Sequence, residues 1–73
     1  MISNSDEAMV KGNEFKKSGD LEKASEMYEK ALSLSPDNID IMKLYANSLK
    51  DLKYYSLAAK VSIKMIERQP KNE

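Results

Sequence analysis

Apolar residues recur at helical spacing in four consecutive stretches of this chain. From Leu21 onward they fall three or four positions apart, on one face of a helix, and the same spacing returns twice further along. An earlier stretch carries Ala8, Gly12 and Phe15 at i, i+4 and i+7. No alternation typical of a strand is present. The pattern therefore predicts an all-α chain with helices over residues 6–18, 21–34, 39–52 and 55–68.

Each of the last three helices has a predicted buried face, and residues that typically end or cap helices lie between them. The buried faces comprise Leu21, Ala24, Met27, Tyr28, Ala31 and Leu32, then Met42, Tyr45, Ala46, Leu49 and Leu52, then Leu57, Ala58, Val61, Met65 and Ile66. Gly19 ends the first helix and Asp20 caps the second, so this short turn predicts an antiparallel hairpin. Pro36 ends the second helix, Asp37 or Asn38 can cap the third, and Pro70 repeats the stop.

The chain also repeats itself. A shift of 34 residues, without a gap, aligns many identical residues. The identical pairs include Asp6 with Asp40, Asn13 with Asn47, Lys16 with Lys50, Ala24 with Ala58, Lys30 with Lys64, Pro36 with Pro70 and Asn38 with Asn72. The four helices are therefore expected to form two equivalent hairpins in tandem.

The residues that define the first period are Gly12, Phe15, Gly19, Asp20, Ala24, Tyr28, Ala31, Leu32 and Pro36. In residue type and spacing they resemble the tetratricopeptide repeat (TPR) family. Gly12 and Ala24 are small, so the two helices can approach closely, while Phe15 and Tyr28 fill the adjacent space. The resemblance implies one domain over residues 1–73, with repeats at 5–38 and 39–72. Together they would form a fragment of a right-handed α-solenoid that acts as a protein-interaction scaffold.

The second period departs from the family pattern. Lys53 and Tyr54 replace the Gly-Asp turn, Ser62 replaces Tyr28, and Met65 replaces Ala31. We therefore expect the left-handed turn residue to be lost and the second hairpin to be looser than the first.

Composition excludes several function classes. The chain has 12 basic and 12 acidic residues but no His or Cys, so it has no imidazole or thiol to serve as a base, nucleophile or metal ligand. We therefore expect no enzyme activity, no cofactor and no metal site. The basic excess of residues 50–73, a net charge of +3, is too small for a nucleic-acid interface. No apolar run approaches the roughly 20 residues of a membrane span. With no secretory leader, these features favour a cytoplasmic protein.

The first helix of each TPR hairpin lines a concave groove, so the resemblance implies where a partner peptide or helix would bind. The groove positions are Met9, Asn13 and Lys16 in the first repeat and Lys43, Asn47 and Lys50 in the second. Asn can both donate to and accept from a peptide backbone, and Lys can attract a carboxylate. The alternative is that these are ordinary solvated positions. A full carboxylate clamp is not expected, because Met9 stands where that clamp needs Lys.

A second candidate function is self-association. The last helix is more apolar than one buried face requires, and the chain ends three residues after Pro70, so we expect uncovered apolar side chains that include Ile63 and Ile66. Residues 1–49 carry a net charge of −3 and residues 50–73 a net charge of +3. These features allow a homo-oligomer with end-to-end or swapped hairpins, or a fragment of a longer repeat array.

Overall fold

The computed structural model describes residues 4–68, and the regular structure in that range is entirely helical. The helices are α1 (Asn4–Ser18), α2 (Leu21–Leu34), α3 (Ile39–Asp51) and α4 (Tyr55–Arg68). The sequence-based bounds of α2 and α4 are confirmed, whereas α1 starts two residues earlier than predicted and α3 ends one residue earlier. The predicted stop at Pro70 and the end of the second repeat at residue 72 lie outside the described residues.

The helices pack in chain order, as two hairpins joined through α2 and α3. The α1–α2 hairpin has the more extensive interface, followed by the α3–α4 hairpin and then the contact between α2 and α3. Two apolar clusters hold this arrangement together. Ala8, Ala31 and Ile41 join α1, α2 and α3, while Met42, Ala46, Leu49, Ala58 and Val61 fill the second hairpin.

Close packing in the first hairpin depends on Gly12. The Tyr28 ring is fully buried, and a Cβ atom added at Gly12 would lie 2.6 Å from its Cε1 atom and 2.7 Å from its Cδ1 atom. Real Cβ atoms essentially never approach so closely. Ala24 is also fully buried. The expectation that small residues let these helices approach and that Tyr28 fills the remaining space is confirmed.

The two hairpin turns have the same hydrogen-bond pattern. In the first, the Gly19 amide donates to the Lys16 carbonyl at 3.1 Å and the next amide donates to the Phe15 carbonyl at 2.9 Å. In the second, the Lys53 amide donates to Lys50 at 2.9 Å and the next amide donates to Leu49 at 2.8 Å. Both turns are Schellman motifs, in which the residue after the helix is left-handed.

The expected loss of the left-handed turn residue is therefore wrong. Lys53 adopts φ 68°, close to the φ 89° of Gly19. A residue with a Cβ atom enters this region at a cost of about 1–2 kcal/mol. Lys53 stays there because its amide and the next one satisfy carbonyls at the end of α3. These hydrogen bonds outweigh the residue's own preference for negative φ.

Side-chain caps begin α2 and α3 where the sequence predicts them. The Asp20 carboxylate accepts from the Lys23 amide at 3.2 Å, and the Asn38 side chain accepts from the Ile41 amide at 3.2 Å. Asn38, rather than Asp37, is therefore the cap of α3. Asp37 instead pairs with Arg68, which links the α2–α3 turn to the last turn of α4. Both side chains of that pair are substantially exposed, so its contribution to stability is small.

The central helix α3 has two buried faces, one more than the periodicity indicated. Met42, Ala46 and Leu49 face α4, as predicted, but Ile41 and Ser48 on the other face are also fully buried. A helix between two neighbours must bury both sides. Sequence reasoning missed Ile41 and Ser48 because they lie outside the single stripe that it assigned to this helix.

The predicted face of α4 is only partly correct. Ala58 and Val61 are buried and Met65 packs against them. Leu57 and Ile66, however, are 46% and 70% exposed, so neither belongs to the core of this chain. Within residues 4–68, α4 packs extensively against α3 alone, so one face of the helix is buried there.

Candidate functional site

The α1 half of the predicted groove contains one exposed amide between two partly covered side chains. Asn13 is exposed, whereas Met9 and Lys16 are half-buried. Met9 packs against the cluster of Ala8, Ala31 and Ile41, which joins the first hairpin to the start of α3. Met9 therefore supports the contact between the repeats and still presents part of its surface beside Asn13.

A buried tyrosine holds the Asn13 side chain in place. The Tyr28 hydroxyl donates a hydrogen bond to Asn13 Oδ1 at 2.5 Å. Burial raises the pKa of Tyr28, so the hydroxyl stays protonated at neutral pH. Since Oδ1 already accepts this hydrogen bond, the Asn13 Nδ2 group remains as a hydrogen-bond donor for a ligand at the protein surface. The sequence placed Asn13 in the groove but did not predict this support.

The α3 half of the predicted groove is more open. Lys43, Asn47 and Lys50 are all exposed. Ser62 occupies the position equivalent to Tyr28, and within residues 4–68 the Asn47 side chain makes no hydrogen bond. The two asparagines therefore occupy equivalent positions in their repeats, but only Asn13 has its amide oriented by a buried partner.

Comparison with known proteins identifies the family. A profile described as TPR repeat matches residues 12–48, from the middle of α1 through most of α3. The chain belongs to the TPR family. TPR repeats generally mediate protein–protein interactions and are typically non-catalytic. No curated protein and no solved structure gave a significant match to the chain.

Membrane-spanning helices and clusters of metal-ligating side chains are both absent from the described part of this TPR chain. No helix there is long and apolar enough to cross a bilayer. No group of three or more potential metal-ligating side chains comes together in residues 4–68.

The residues predicted for self-association lie on the outer side of the second TPR hairpin. Ile63 is 56% exposed and Ile66 is 70% exposed. Tyr54 and Tyr55, at the N-terminal end of α4, are exposed as well. The expected uncovered apolar side chains are thus present, and their use in self-association stays a prediction.

A second feature of this TPR fold is a set of recesses between α2 and α4, which sequence reasoning did not find. They meet at Tyr45, a half-buried side chain of α3. Burial raises the pKa of Tyr45, and the nearby negative charge of Glu29 raises it further. The sequence signal was a row of acidic residues on α2 and of lysines on α4, both of which are also typical of solvated helix faces.

Proposed function

We propose that the chain binds an extended peptide segment of a partner protein along the exposed stripes of α1 and α3. The binding residues would be Met9, Asn13, Lys16, Lys43, Asn47 and Lys50. The function is recognition, with no catalytic step, no cofactor, no nucleic acid and no membrane insertion. A cytoplasmic location belongs to the same proposal.

The observation that best supports this proposal is the hydrogen bond between Tyr28 and Asn13. An exposed Asn normally loses side-chain freedom when it binds a ligand, and that loss weakens binding. Here the buried Tyr28 hydroxyl has already ordered the amide, with Nδ2 facing outward. Such a donor suits a peptide carbonyl or a carboxylate. Membership of the TPR family, whose repeats bind protein partners, points the same way.

The charges of the stripe indicate the character of the peptide. Lys16, Lys43 and Lys50 place three positive charges beside the two asparagines, and Met9 supplies an apolar contact. Asp6 and Asp40 lie at the other end of the two stripes, so the positive charge is concentrated around the asparagines. We therefore propose a segment with a carboxylate, from an acidic side chain or a free C-terminus, and an apolar residue next to it. Lys attracts a carboxylate as a point charge, and this attraction weakens as salt screens it.

A displayed library of random peptides with free C-termini provides the test. Peptides selected on the unmodified chain would be titrated against it and against the Asn13→Ala, Asn47→Ala variant. The expected loss is about 1–3 kcal/mol of binding free energy, because buried peptide groups would be left unpaired. Asn4→Ala removes an amide from α1 outside the stripe, and it should leave affinity unchanged. Equal affinity of the selected peptides for the double variant and the unmodified chain would refute the proposed site.

A further inference from the structure

The face formed by α2 and α4 has an apolar floor and two walls of opposite charge. These two helices do not pack extensively against each other, and recesses of about 290, 330 and 470 Å³ lie along and beside the gap. Leu57, Val61 and the Tyr45 ring contribute apolar surface to them. Leu57 is 46% exposed, so this floor is only partly covered within the chain.

The walls are rows of exposed charged residues at helical spacing. Glu22, Glu26 and Glu29 follow one another on α2 at the edge of one recess. Lys60 and Lys64 lie on α4 at the edge of another, which Glu67 of the last turn also lines. Glu29 and Lys64 line one common recess, but within residues 4–68 no salt bridge joins the acidic row to the lysine row. The face therefore carries acidic and basic residues that are not paired with each other, with apolar surface beside them.

We propose that this face binds the same face of a second copy of the chain, in a two-fold symmetric dimer. Such an interface pairs one surface patch with itself, so each patch must contain both complementary elements. The face of α2 and α4 meets this condition. The apolar floor, with the 56% exposed Ile63 at its margin, would supply the buried contact that exposed ion pairs cannot supply alone.

Charge selects the orientation of the two copies. Positions 34 residues apart are equivalent in the two repeats, so Glu26 and Lys60 lie at the same level of their helices. A two-fold axis parallel to α2 and α4 places α2 of each copy opposite α4 of the other, and thus Glu26 near Lys60 and Glu29 near Lys64. An axis perpendicular to the helices would instead set the acidic row of α2 against itself. Like charges disfavour that arrangement.

The structure also argues against the end-to-end arrangement of copies. Within the chain, Ile41 of α3 enters an apolar site between Ala8 and Ala31. Regular stacking of a second copy would place Glu7, the residue equivalent to Ile41, into the corresponding site on the second hairpin. The residues equivalent to Ala8 and Ala31 there are Met42 and Met65. A carboxylate buried among apolar side chains is strongly unfavourable.

Two charge-reversal variants test the proposal. Glu26→Lys with Glu29→Lys makes both walls basic, and Lys60→Glu with Lys64→Glu makes both walls acidic. We expect the unmodified chain to show a reversible monomer–dimer equilibrium by sedimentation and light scattering below about 1 mM. Each variant alone should dimerise at least about tenfold more weakly, whereas an equimolar mixture of the two should form a 1:1 heterodimer.

The control and the contradicting results are equally specific. Glu7→Lys with Glu14→Lys changes the net charge by the same amount as the first variant but lies on α1, and it should leave dimerisation unchanged. Circular dichroism verifies that each variant is folded, and Glu26→Gln with Lys60→Gln replaces any variant that is not. An unmodified chain that stays monomeric up to about 1 mM, or a mixture of folded variants that forms no heterodimer, overturns the proposal.

Discussion

The two hairpins pack the same pair of helices at equivalent positions but distribute the volume differently. In the first, Gly12 carries no side chain and the large Tyr28 ring fills the space against it. In the second, the equivalent residues are Ala46 and Ser62, so a methyl group lies on the first helix and a small hydroxyl on the second. The second pair has the smaller total side-chain volume, and both arrangements keep the 34-residue register.

The difference has consequences for rigidity and for binding. The first hairpin has the larger interface, a glycine at its left-handed turn and a side-chain cap on its second helix. The second hairpin keeps the same turn with Lys53 and has Tyr54 at the cap position. The buried Tyr28 hydroxyl also orients Asn13, whereas Asn47 has no such partner. The first repeat therefore has the closer packing and an oriented amide, whereas the second keeps a left-handed lysine at its turn.

The largest effect is expected from a methyl group at Gly12. Gly12→Ala forces a Cβ atom into the Tyr28 ring, which is buried and cannot move aside, so the free energy of unfolding should fall by about 2–3 kcal/mol. The matched change in the second hairpin, Ala46→Gly, should cost only about 1 kcal/mol through helix propensity. Urea denaturation followed by circular dichroism measures both.

A double variant shows whether volume is the cause. Tyr28→Ser alone leaves a cavity, but together with Gly12→Ala it reproduces the combination found in the second hairpin. The double variant should therefore be more stable than the sum of the two single effects predicts. Strict additivity, or a neutral Gly12→Ala variant, would mean that the first hairpin does not depend on this contact.

The turns should respond in opposite directions to reciprocal changes. Gly19→Lys places a Cβ atom at positive φ and should destabilise the chain by about 1–2 kcal/mol. No atom lies within 4 Å of that added Cβ, so the whole cost would come from the backbone. Lys53→Gly should relieve the same strain and stabilise the chain by a smaller amount, about 0.5–1 kcal/mol, because Gly also loosens the unfolded chain. Thermal unfolding midpoints that shift in the same direction for both variants would contradict this interpretation.

The helix caps should give an effect of about 1 kcal/mol. Asp20→Ala removes the acceptor of the Lys23 amide and should destabilise the first hairpin. Tyr54→Asp introduces the same residue at the equivalent position of the second hairpin and should stabilise it by a similar amount. If the Tyr54→Asp variant is not stabilised, the exposed Tyr54 ring has a contact that outweighs the cap.

The smallest effect on stability is expected at Tyr28 itself. Tyr28→Phe keeps the ring but removes the hydrogen bond to Asn13, whose exposed amide can bond to water instead, so the loss should be about 0.5 kcal/mol. The peptides selected for the proposed site should nevertheless bind more weakly, because Asn13 is no longer oriented. If Tyr28→Phe lowers stability but leaves peptide affinity unchanged, the hydrogen bond to Asn13 contributes to stability and not to binding.

The alkaline limb of the stability profile checks the same side chain. Burial raises the pKa of Tyr28 above its ordinary value of 10.0, so the folded state holds the proton more tightly than the unfolded state does. Stability is therefore fully present below pH 10 and falls as the pH rises through the raised pKa. Tyr28→Phe should reduce this loss, although the burial of Tyr45 will preserve part of it.

Much of the fold could be predicted from the sequence because it depends on short-range rules. The spacing of apolar residues located the four helices, and the 34-residue register located the hairpins. Gly19, Asp20 and Pro36 marked helix ends, while the cap of α3 was left open between Asp37 and Asn38. The buried residues Ile41 and Ser48 could not be predicted this way. Ser48 is fully buried and its hydroxyl has no hydrogen-bond partner in residues 4–68. Its polar side chain gives no signal of burial, and only the position of α3 between two neighbours explains it.

The helices, their repeat and the family could be predicted because each depends on residue type at fixed separation along the chain. Which polar groups are oriented and which backbone conformations are tolerated could be seen only in the folded chain. Tyr28 and Asn13 meet across two helices that are separated by a turn, so their hydrogen bond depends on how closely those helices approach. Lys53 keeps a left-handed conformation because the carbonyls at the end of α3 require it, against its own preference.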